Sequence, residues 1–183
     1  MNRPGEVKVR EGSSFAAAIE TAGGTSPTGT LEGAILFRGS ETTVFDARSL
    51  AKGGTDKGIT VQQGDFIYVP TNKREFHVLG FVMKPGPRLI PDQKDLRLAD
   101  CLSLAEGLKP NGTMRRAVIM HANGEGKMVA KRYDLDKFVK DGDQSQNPQI
   151  APGDIVFFDQ TSGTTITEVL RIIPSLLLLD RFF

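Results

Sequence analysis

Residues 84–107 read KPGPRLIPDQKDLRLADCLSLAEG, and residues 3–24 read RPGEVKVREGSSFAAAIETAGG. Each stretch begins at a Pro-Gly pair and continues into an apolar series with positions i, i+3, i+4 and i+7. That spacing places four apolar side chains on one face of a short amphipathic helix. The two series are Phe15, Ala18, Ile19, Ala22 and Leu98, Cys101, Leu102, Ala105, at a constant offset of 83 residues (98 − 15).

Both predicted helices carry start and stop signals. We expect Ser13 or Ser14 to cap the first helix and Asp95 the second, because their side-chain oxygens accept hydrogen bonds from free backbone N–H groups. Gly23 and Gly107 are expected to end the two helices in the left-handed conformation, which glycine adopts at little cost.

The similarity of the two halves continues beyond the helices. Each helix is followed by two predicted strands joined by a turn, which contains Gly39 in the first half and spans residues 123–126 in the second. Each half then closes with a Gly-Asp turn and a short apolar strand, in QQGDFIYVP and APGDIVFFD. The sequence therefore predicts two copies of one unit, at residues 1–72 and 75–160.

The two predicted copies differ at their beginning. Residues 75–82, EFHVLGFV, form a predicted strand ahead of the second Pro-Gly pair, and no corresponding strand precedes Pro4. We therefore expect the first unit to lack its opening strand. Two explanations stay open: the chain is a fragment of a longer protein, or another chain supplies the strand at an open sheet edge.

Composition excludes several classes of function. The 183 residues include 23 basic and 22 acidic side chains, so the basic excess of an electrostatically driven nucleic-acid binder is absent. The single cysteine, Cys101, leaves no disulfide or zinc cluster and is interpreted as a core thiol. His77 and His121 are interpreted as strand residues rather than ligands, and no metal or cofactor is expected. We find no paired acid and base and no nucleophile with a base, so the chain is not expected to be an enzyme.

The last twenty residues, 164–183, form a separate apolar tail. They are predicted to begin a helix, which Pro174 should kink or end because proline removes a backbone donor. Three interpretations remain open: a membrane-associated or pore-lining tail, a helix that packs on the β-grasp units of its own or a neighbouring chain, and a disordered or truncated segment. The apolar residues that would form either contact are Ile166, Val169, Leu170, Ile173, Leu176, Leu177, Leu178 and Leu179.

The order of the predicted elements is typical of an α+β fold of β-grasp type, in which a small mixed sheet packs on one helix. The runs GFVMKPGPRLI, LADCLSLAEGL and NPQIAPGDIVFF resemble the soluble-ligand-binding β-grasp (SLBB) domain, and NRPGEVKV, SFAAAIETAGG and VQQGDFIYVP repeat the pattern. The motif residues are Pro4, Gly5, Gly23, Gly24, Gly64, Asp65, Pro85, Gly86, Gly107, Pro152, Gly153 and Asp154. The expected fold is thus two tandem SLBB units and a C-terminal helix.

In this form the chain resembles the outer-membrane polysaccharide export proteins. The resemblance implies a non-catalytic, periplasm-facing, ring-forming part of a translocon for capsular or extracellular polysaccharide. The implied partners are further copies of the chain, the polysaccharide, an inner-membrane copolymerase with tyrosine-kinase character and, through the tail, the outer membrane. The family's lipoprotein signal and its preceding export domain are missing from the sequence, which again leads us to expect a fragment.

A second hypothesis is a monomeric soluble module that binds a small ligand or glycan on an exposed sheet face. Tight glycan recognition is disfavoured because sugar sites often use aromatic stacking, and the sequence has no tryptophan and only Tyr68 and Tyr133. A monomer that binds without assembling would distinguish this hypothesis from the export module.

Overall fold

The computed structural model is a mixed α+β protein that divides into two compact units, which confirms the expected fold class. It describes residues 1–48, 59–92, 94–125 and 127–163, together with Glu168 and Arg171. One unit comprises Met1–Lys73 with Pro91–Lys94, and the other comprises Arg74–Ile90 with Asp95–Phe183.

The short segment Pro91–Lys94 belongs to the first unit, whereas the sequence-based division placed it in the second. Asp92 is the reason. Its buried carboxylate accepts hydrogen bonds from the Thr30 hydroxyl at 2.8 Å and from the Leu31 N–H at 2.7 Å. A buried carboxylate is retained only where donors compensate its lost hydration, so these two bonds tie the segment to the first unit.

The first unit packs one helix on a small antiparallel sheet. Helix α1 (Phe15–Thr21) is followed by strands β1 (Ala34–Arg38), β2 (Glu41–Phe45) and β3 (Phe66–Tyr68), in the order β2-β1-β3. The apolar face predicted for α1 is buried in a core with residues from the sheet and loops. The buried members of this core are Phe15, Ala18, Ile19, Leu31, Ala34, Ala47 and Val61.

The second unit has a five-stranded mixed sheet in the order β5-β4-β8-β6-β7. Strand β4 runs parallel to β8, and the other neighbouring pairs are antiparallel. The strands are β4 (Glu75–Gly80), β5 (Gly86–Leu89), β6 (Gly112–Ala122), β7 (Met128–Tyr133) and β8 (Ile155–Gln160). Helix α2 (Leu98–Leu104) covers the core with its predicted face: Leu98, Cys101 and Ala105 are buried and Leu102 packs beside them.

One of the two predicted helix caps is present. The Ser14 hydroxyl accepts a hydrogen bond from the Ala17 N–H at 3.1 Å and caps α1. The cap predicted at Asp95 is wrong, because α2 begins only after Arg97. There Asp100 in the first turn accepts the Arg97 N–H at 2.8 Å, so a residue inside the helix performs the capping.

The second unit contains a third helix, α3 (Leu135–Asp141), and a short 3-10 helix (Gln144–Gln146), which the sequence analysis did not predict. Asp134 caps α3 by accepting the Asp136 N–H at 3.0 Å, and Gly142 ends it in the left-handed conformation. The expectation of one helix per unit is therefore wrong for this unit.

The segment after Pro4-Gly5 is not a strand, although its counterpart after Pro85-Gly86 forms β5. Strand β5 exists because β4 pairs with it, and the described residues of the first unit include no counterpart of β4. Within that described part, the second edge of β3 also carries no strand. Phe66 of β3 is 62% exposed and lies on one face of the sheet, where its ring is 5.7 Å from that of Phe37 on β1.

Residues 164–167, 169–170 and 172–183 lie outside the described part of the chain, so the structure gives no account of the predicted tail. None of the helices in the described part is both long enough and apolar enough to span a membrane. The tail residues thus placed outside the description are Ile166, Val169, Leu170, Ile173, Leu176, Leu177, Leu178 and Leu179.

Candidate functional site

The Pro-Gly segments of both units are held against a helix end by the same backbone bonds. In the first unit the N–H groups of Asn2 and Arg3 donate to the carbonyls of Gly24 and Ala22, at 3.1 and 3.0 Å. Residues 81 and 83 positions later repeat both bonds in the second unit, where Met83 donates to Gly107 at 2.9 Å and Lys84 to Ala105 at 3.0 Å. These bonds thus hold each Pro-Gly segment against the residues that follow its helix.

These bonds correct one part of the sequence alignment. Two consecutive left-handed residues end each helix: Gly23 and Gly24 in the first unit, Glu106 and Gly107 in the second. The bond from Gly24 to Ile19 corresponds to the bond from Gly107 to Leu102, so Gly107 is the counterpart of Gly24 rather than of Gly23. Glu106, with a φ of 60°, takes the position of Gly23.

The Gly-Asp turns of the two units have the same geometry. Asp65 accepts the Gln62 N–H at 2.8 Å, and Asp154 accepts the Ala151 N–H at 2.8 Å. The glycine between donor and acceptor is left-handed in each turn, with φ values of 86° and 85° at Gly64 and Gly153. Pro152 lies in the second turn at an exposed position. Each turn therefore fixes a carboxylate at the start of the last strand.

In the first unit an arginine side chain forms an ion pair with this carboxylate. The Arg38 Nε and Nη2 groups donate to the two oxygens of Asp65, at 2.9 and 2.8 Å, and Nη2 also donates to the Thr60 carbonyl at 2.9 Å. The Asp65 side chain is only 3% exposed. Hydrogen bonding from Arg38 lowers the pKa of Asp65 below its ordinary value, against the opposing effect of burial, and the Gln62 N–H also lowers it. The pair is a closed, bidentate contact.

In the second unit a histidine stands where the arginine would be. The β1–β3 register pairs Phe37 with Phe66, which brings Arg38 opposite Asp65 one position further. The β6–β8 register pairs Met120 with Ile155, so His121 lies opposite Asp154 in the same way. None of the hydrogen bonds in the described part of the chain joins the His121 side chain to Asp154.

Beside this histidine the second unit has an open cleft of about 440 Å³. Asp154 is 5% exposed, and burial raises its pKa above the ordinary value, while the Ala151 N–H and the charge of His121 act in the opposite direction. A buried carboxylate with one backbone donor favours a positively charged or hydrogen-bonding ligand. The lining residues are Ile119, His121, Ala122, Tyr133, Pro148, Gln149, Ala151, Pro152, Gly153 and Asp154.

The repeated sequence motifs include the Gly-Asp residues of this cleft but indicate no site role for Arg38, His121 or Tyr133. The signal was present, because the offset of 83 residues found for the helices also aligns His121 with Arg38 (121 − 38). What the sequence did not show is that the two positions lie across a strand pair from Asp65 and Asp154.

Cys101 and His77 do not line the cleft, although the His77 N–H donates to the carbonyl of Asp154 at 2.9 Å. Cys101 is fully buried in the core of the second unit, and its thiol donates to the Arg97 carbonyl at 3.4 Å. His77 lies on β4 and pairs with Ile155 of β8 in the sheet. In the described ranges, the histidine, cysteine and carboxylate side chains form no group able to hold a metal ion.

The fold and the repeated framework are those of a small α+β protein with β-grasp-like units. Residues 1–69 match the sequence profile of the SLBB domain, which covers the first unit up to the end of its sheet. The SLBB domain is a non-catalytic, ligand-binding domain found in polysaccharide export proteins. No curated protein matches the chain with significant sequence similarity.

Proposed function

We propose that this chain is a non-catalytic structural module of a translocon that exports capsular or extracellular polysaccharide. The SLBB match over residues 1–69 is the observation that supports this proposal most strongly. The absence of a catalytic constellation from the sequence accords with it, since an export module needs binding and assembly surfaces rather than reacting groups.

The second unit, residues 75–160, is proposed to be a second SLBB unit. Its support is the hydrogen-bond framework that it shares with the first unit. The N–H of the first helical residue donates to a backbone carbonyl in both units: Phe15 donates to the Ile59 carbonyl at 2.9 Å, and Leu98 donates to the Pro148 carbonyl at 3.0 Å. The donors lie 83 residues apart (98 − 15) and the acceptors 89 (148 − 59), the latter being also the offset of the two Gly-Asp turns (153 − 64), as expected for two copies of one unit.

The module is proposed to face the periplasm and to assemble into a ring of identical chains in the outer-membrane part of the translocon. Among the residues that the structure describes, no strand pairs with the outer edge of β3; this supports an assembly role, because a strand edge without a partner offers backbone donors and acceptors to another strand. The remaining proposed partners are the polysaccharide, an inner-membrane copolymerase with tyrosine-kinase character and, through residues 164–183, the outer membrane.

Export itself tests the proposal. Cells that lack the protein should retain polysaccharide inside and show little at the surface, and the intact gene should restore the surface polymer. Measuring both pools separates a defect in export from a defect in synthesis. Unchanged surface polysaccharide in the deletion strain would contradict the proposal.

A second candidate function is a monomeric module that binds a soluble ligand or glycan. The cleft beside Asp154 favours it, because about 440 Å³ lies within the usual size range of small-molecule sites. Calorimetric titration with acidic and neutral oligosaccharides, combined with the solution mass, distinguishes the two functions. Saturable binding by a stable monomer would favour the second.

A further inference from the structure

The first unit shows what its Gly-Asp turn can hold. The Arg38 guanidinium fits between the Asp65 carboxylate and the Thr60 carbonyl, with three donated bonds of 2.8–2.9 Å. The planar guanidinium matches a carboxylate with two parallel N–H groups, which is a contact that an ammonium group does not reproduce. The turn is therefore a preformed guanidinium receptor that this unit fills with its own side chain.

The second unit has the same acceptors without the arginine. Asp154 corresponds to Asp65, and Gln149 corresponds to Thr60, since Thr60 and Gln149 form the same isolated bridge with the residue before their helix. Both Asp154 and Gln149 line the cleft. Among the described residues, the Gln149 carbonyl accepts no hydrogen bond, and the Asp154 carboxylate accepts only that of the Ala151 N–H.

His121 does not replace the missing arginine. Its side chain is shorter, lies at an exposed position and makes no hydrogen bond with Asp154 in the described part of the chain. The carboxylate is thus nine-tenths buried and points to a cleft that stays open. A buried carboxylate without a cationic partner is costly, and an incoming guanidinium removes that cost.

We propose that this cleft of the second unit is a binding site for a guanidinium group, either on an arginine side chain of another polypeptide or on a free guanidino compound. The ligand's guanidinium takes the place that Arg38 occupies in the first unit. It donates to the Asp154 carboxylate and to the Gln149 carbonyl, and Tyr133 and Pro148 form the wall beside it. The proposal rests on these residues and is independent of the export role.

The test is a titration of the full chain, followed by the amide resonances in ¹⁵N-correlated NMR spectra. The probes are L-arginine and the peptide Gly-Arg-Gly. Two matched compounds serve as controls: L-citrulline has a similar planar shape without the charge, and L-lysine has the charge without the planar guanidinium group. We expect arginine or the peptide to shift the amides of Ala151, Asp154 and Tyr133 in a saturable way, and citrulline and lysine to leave them unchanged.

Three variants locate the binding. Asp154→Asn keeps an oxygen acceptor for the Ala151 N–H but removes the charge, and we expect at least about tenfold weaker binding. His121→Arg should supply an internal guanidinium and abolish binding, as Arg38 does in the first unit. The reciprocal variant Arg38→His should leave the second site intact and open a new one, seen as shifts at Gln62. The unliganded spectrum of each variant shows whether it is folded.

The outcomes separate the sources of the ligand. Binding of the peptide alone assigns the site to an arginine of a polypeptide, and equal binding of free arginine shows that a small guanidino compound suffices. The proposal is overturned if neither probe shifts the cleft residues at millimolar concentration, if lysine binds as well as arginine, or if a folded His121→Arg variant still binds.

Discussion

Arg38 and His121 show how a single residue changes the chemistry of a repeated framework. The two Gly-Asp turns have the same hydrogen bond. In each turn a carboxylate oxygen of the aspartate accepts the N–H of the residue three positions earlier, at 2.8 Å. The arginine closes the first site and holds Asp65 ionised. The histidine leaves the second site open, so burial alone dominates the environment of Asp154.

The pKa of Asp65 is therefore expected to lie below the ordinary value for aspartate, and the pKa of Asp154 above it. The Arg38 guanidinium lowers the pKa of Asp65, so the pair stabilises the folded first unit above about pH 4, and this stabilisation is lost as the pH falls through the lowered value. Burial raises the pKa of Asp154, so its ionisation reduces the stability of the second unit as the pH rises through the raised value.

Side-chain carboxyl ¹³C shifts recorded against pH measure both midpoints in one sample. We predict that Asp154 titrates at a higher pH than Asp65. In the control variant Arg38→Ala the midpoint of Asp65 should rise, and that of Asp154 should stay where it is. A midpoint of Asp154 below that of Asp65 would refute this assignment of the two environments.

Asp92 is predicted to stabilise the first unit although it follows β5 of the second unit in sequence. Asp92→Ala leaves the buried Thr30 hydroxyl and the Leu31 N–H without their acceptor. Each unsatisfied group costs about 1–3 kcal/mol, so the free energy of unfolding should fall by at least about 2 kcal/mol. Urea denaturation followed at first-unit amides measures this loss. Asp92→Asn, which keeps one acceptor oxygen, should lose less, and equal stability of all three proteins would disprove the account.

At the level of elements, Gly80 at the end of β4 is required for the pairing of β4 with β8. Its φ is +91°, and a Cβ at this position would overlap the carbonyl oxygen of Phe158. Gly80→Ala is therefore expected to lower the free energy of unfolding by about 3 kcal/mol, through backbone strain and a displaced strand.

Gly124 provides the matched control for that substitution. It lies in the β6–β7 turn, and a Cβ there would meet no atom within 4 Å. Gly124→Ala should change the stability by no more than about 0.5 kcal/mol. Chemical denaturation measures the free energy of unfolding of both variants. Similar losses of stability at the two glycines would contradict the close approach of Gly80 to the Phe158 carbonyl.

The elements that the sequence predicted correctly are those with a local signal. The faces of α1 and α2 follow from the spacing of apolar residues alone, and the hairpin turns follow from their glycines. The segment after Pro4-Gly5 forms no strand, whereas the matching segment after Pro85-Gly86 forms β5, because a strand depends on its partner as well as on its own residues. Helix α3 has ordinary cap residues in Asp134 and Gly142. It was nevertheless not predicted, because the repeat comparison treats the residues between β7 and the second Gly-Asp turn as a connecting segment.

The site was harder to predict than the fold for a related reason. Motif matching found Gly153 and Asp154, which the two copies share. The cleft depends on His121, where the copies differ, and on the strand register that brings this residue opposite Asp154. Comparing the two units identifies the residues that they share. The cleft, in contrast, depends on a difference between them, because His121 stands in the second unit where the first has Arg38.

At the level of the whole molecule, the proposed export role requires assembly. Head-to-tail contacts between identical chains close into rings, and the open edge of β3 is one surface suited to such a contact. Phe66 and Tyr68 share one face of β3 and are 62% and 48% exposed, so a second chain that covered this face would bury them.

Light scattering after size exclusion, with and without mild detergent, distinguishes a ring of chains from a monomer. We predict a discrete oligomer of many chains. A loss of that oligomer on removal of residues 164–183 would assign the contact to the tail, and its persistence would assign it to the two units. A monomer of about 20 kDa in both conditions, set by the chain mass of 19.9 kDa, would contradict the ring-forming role.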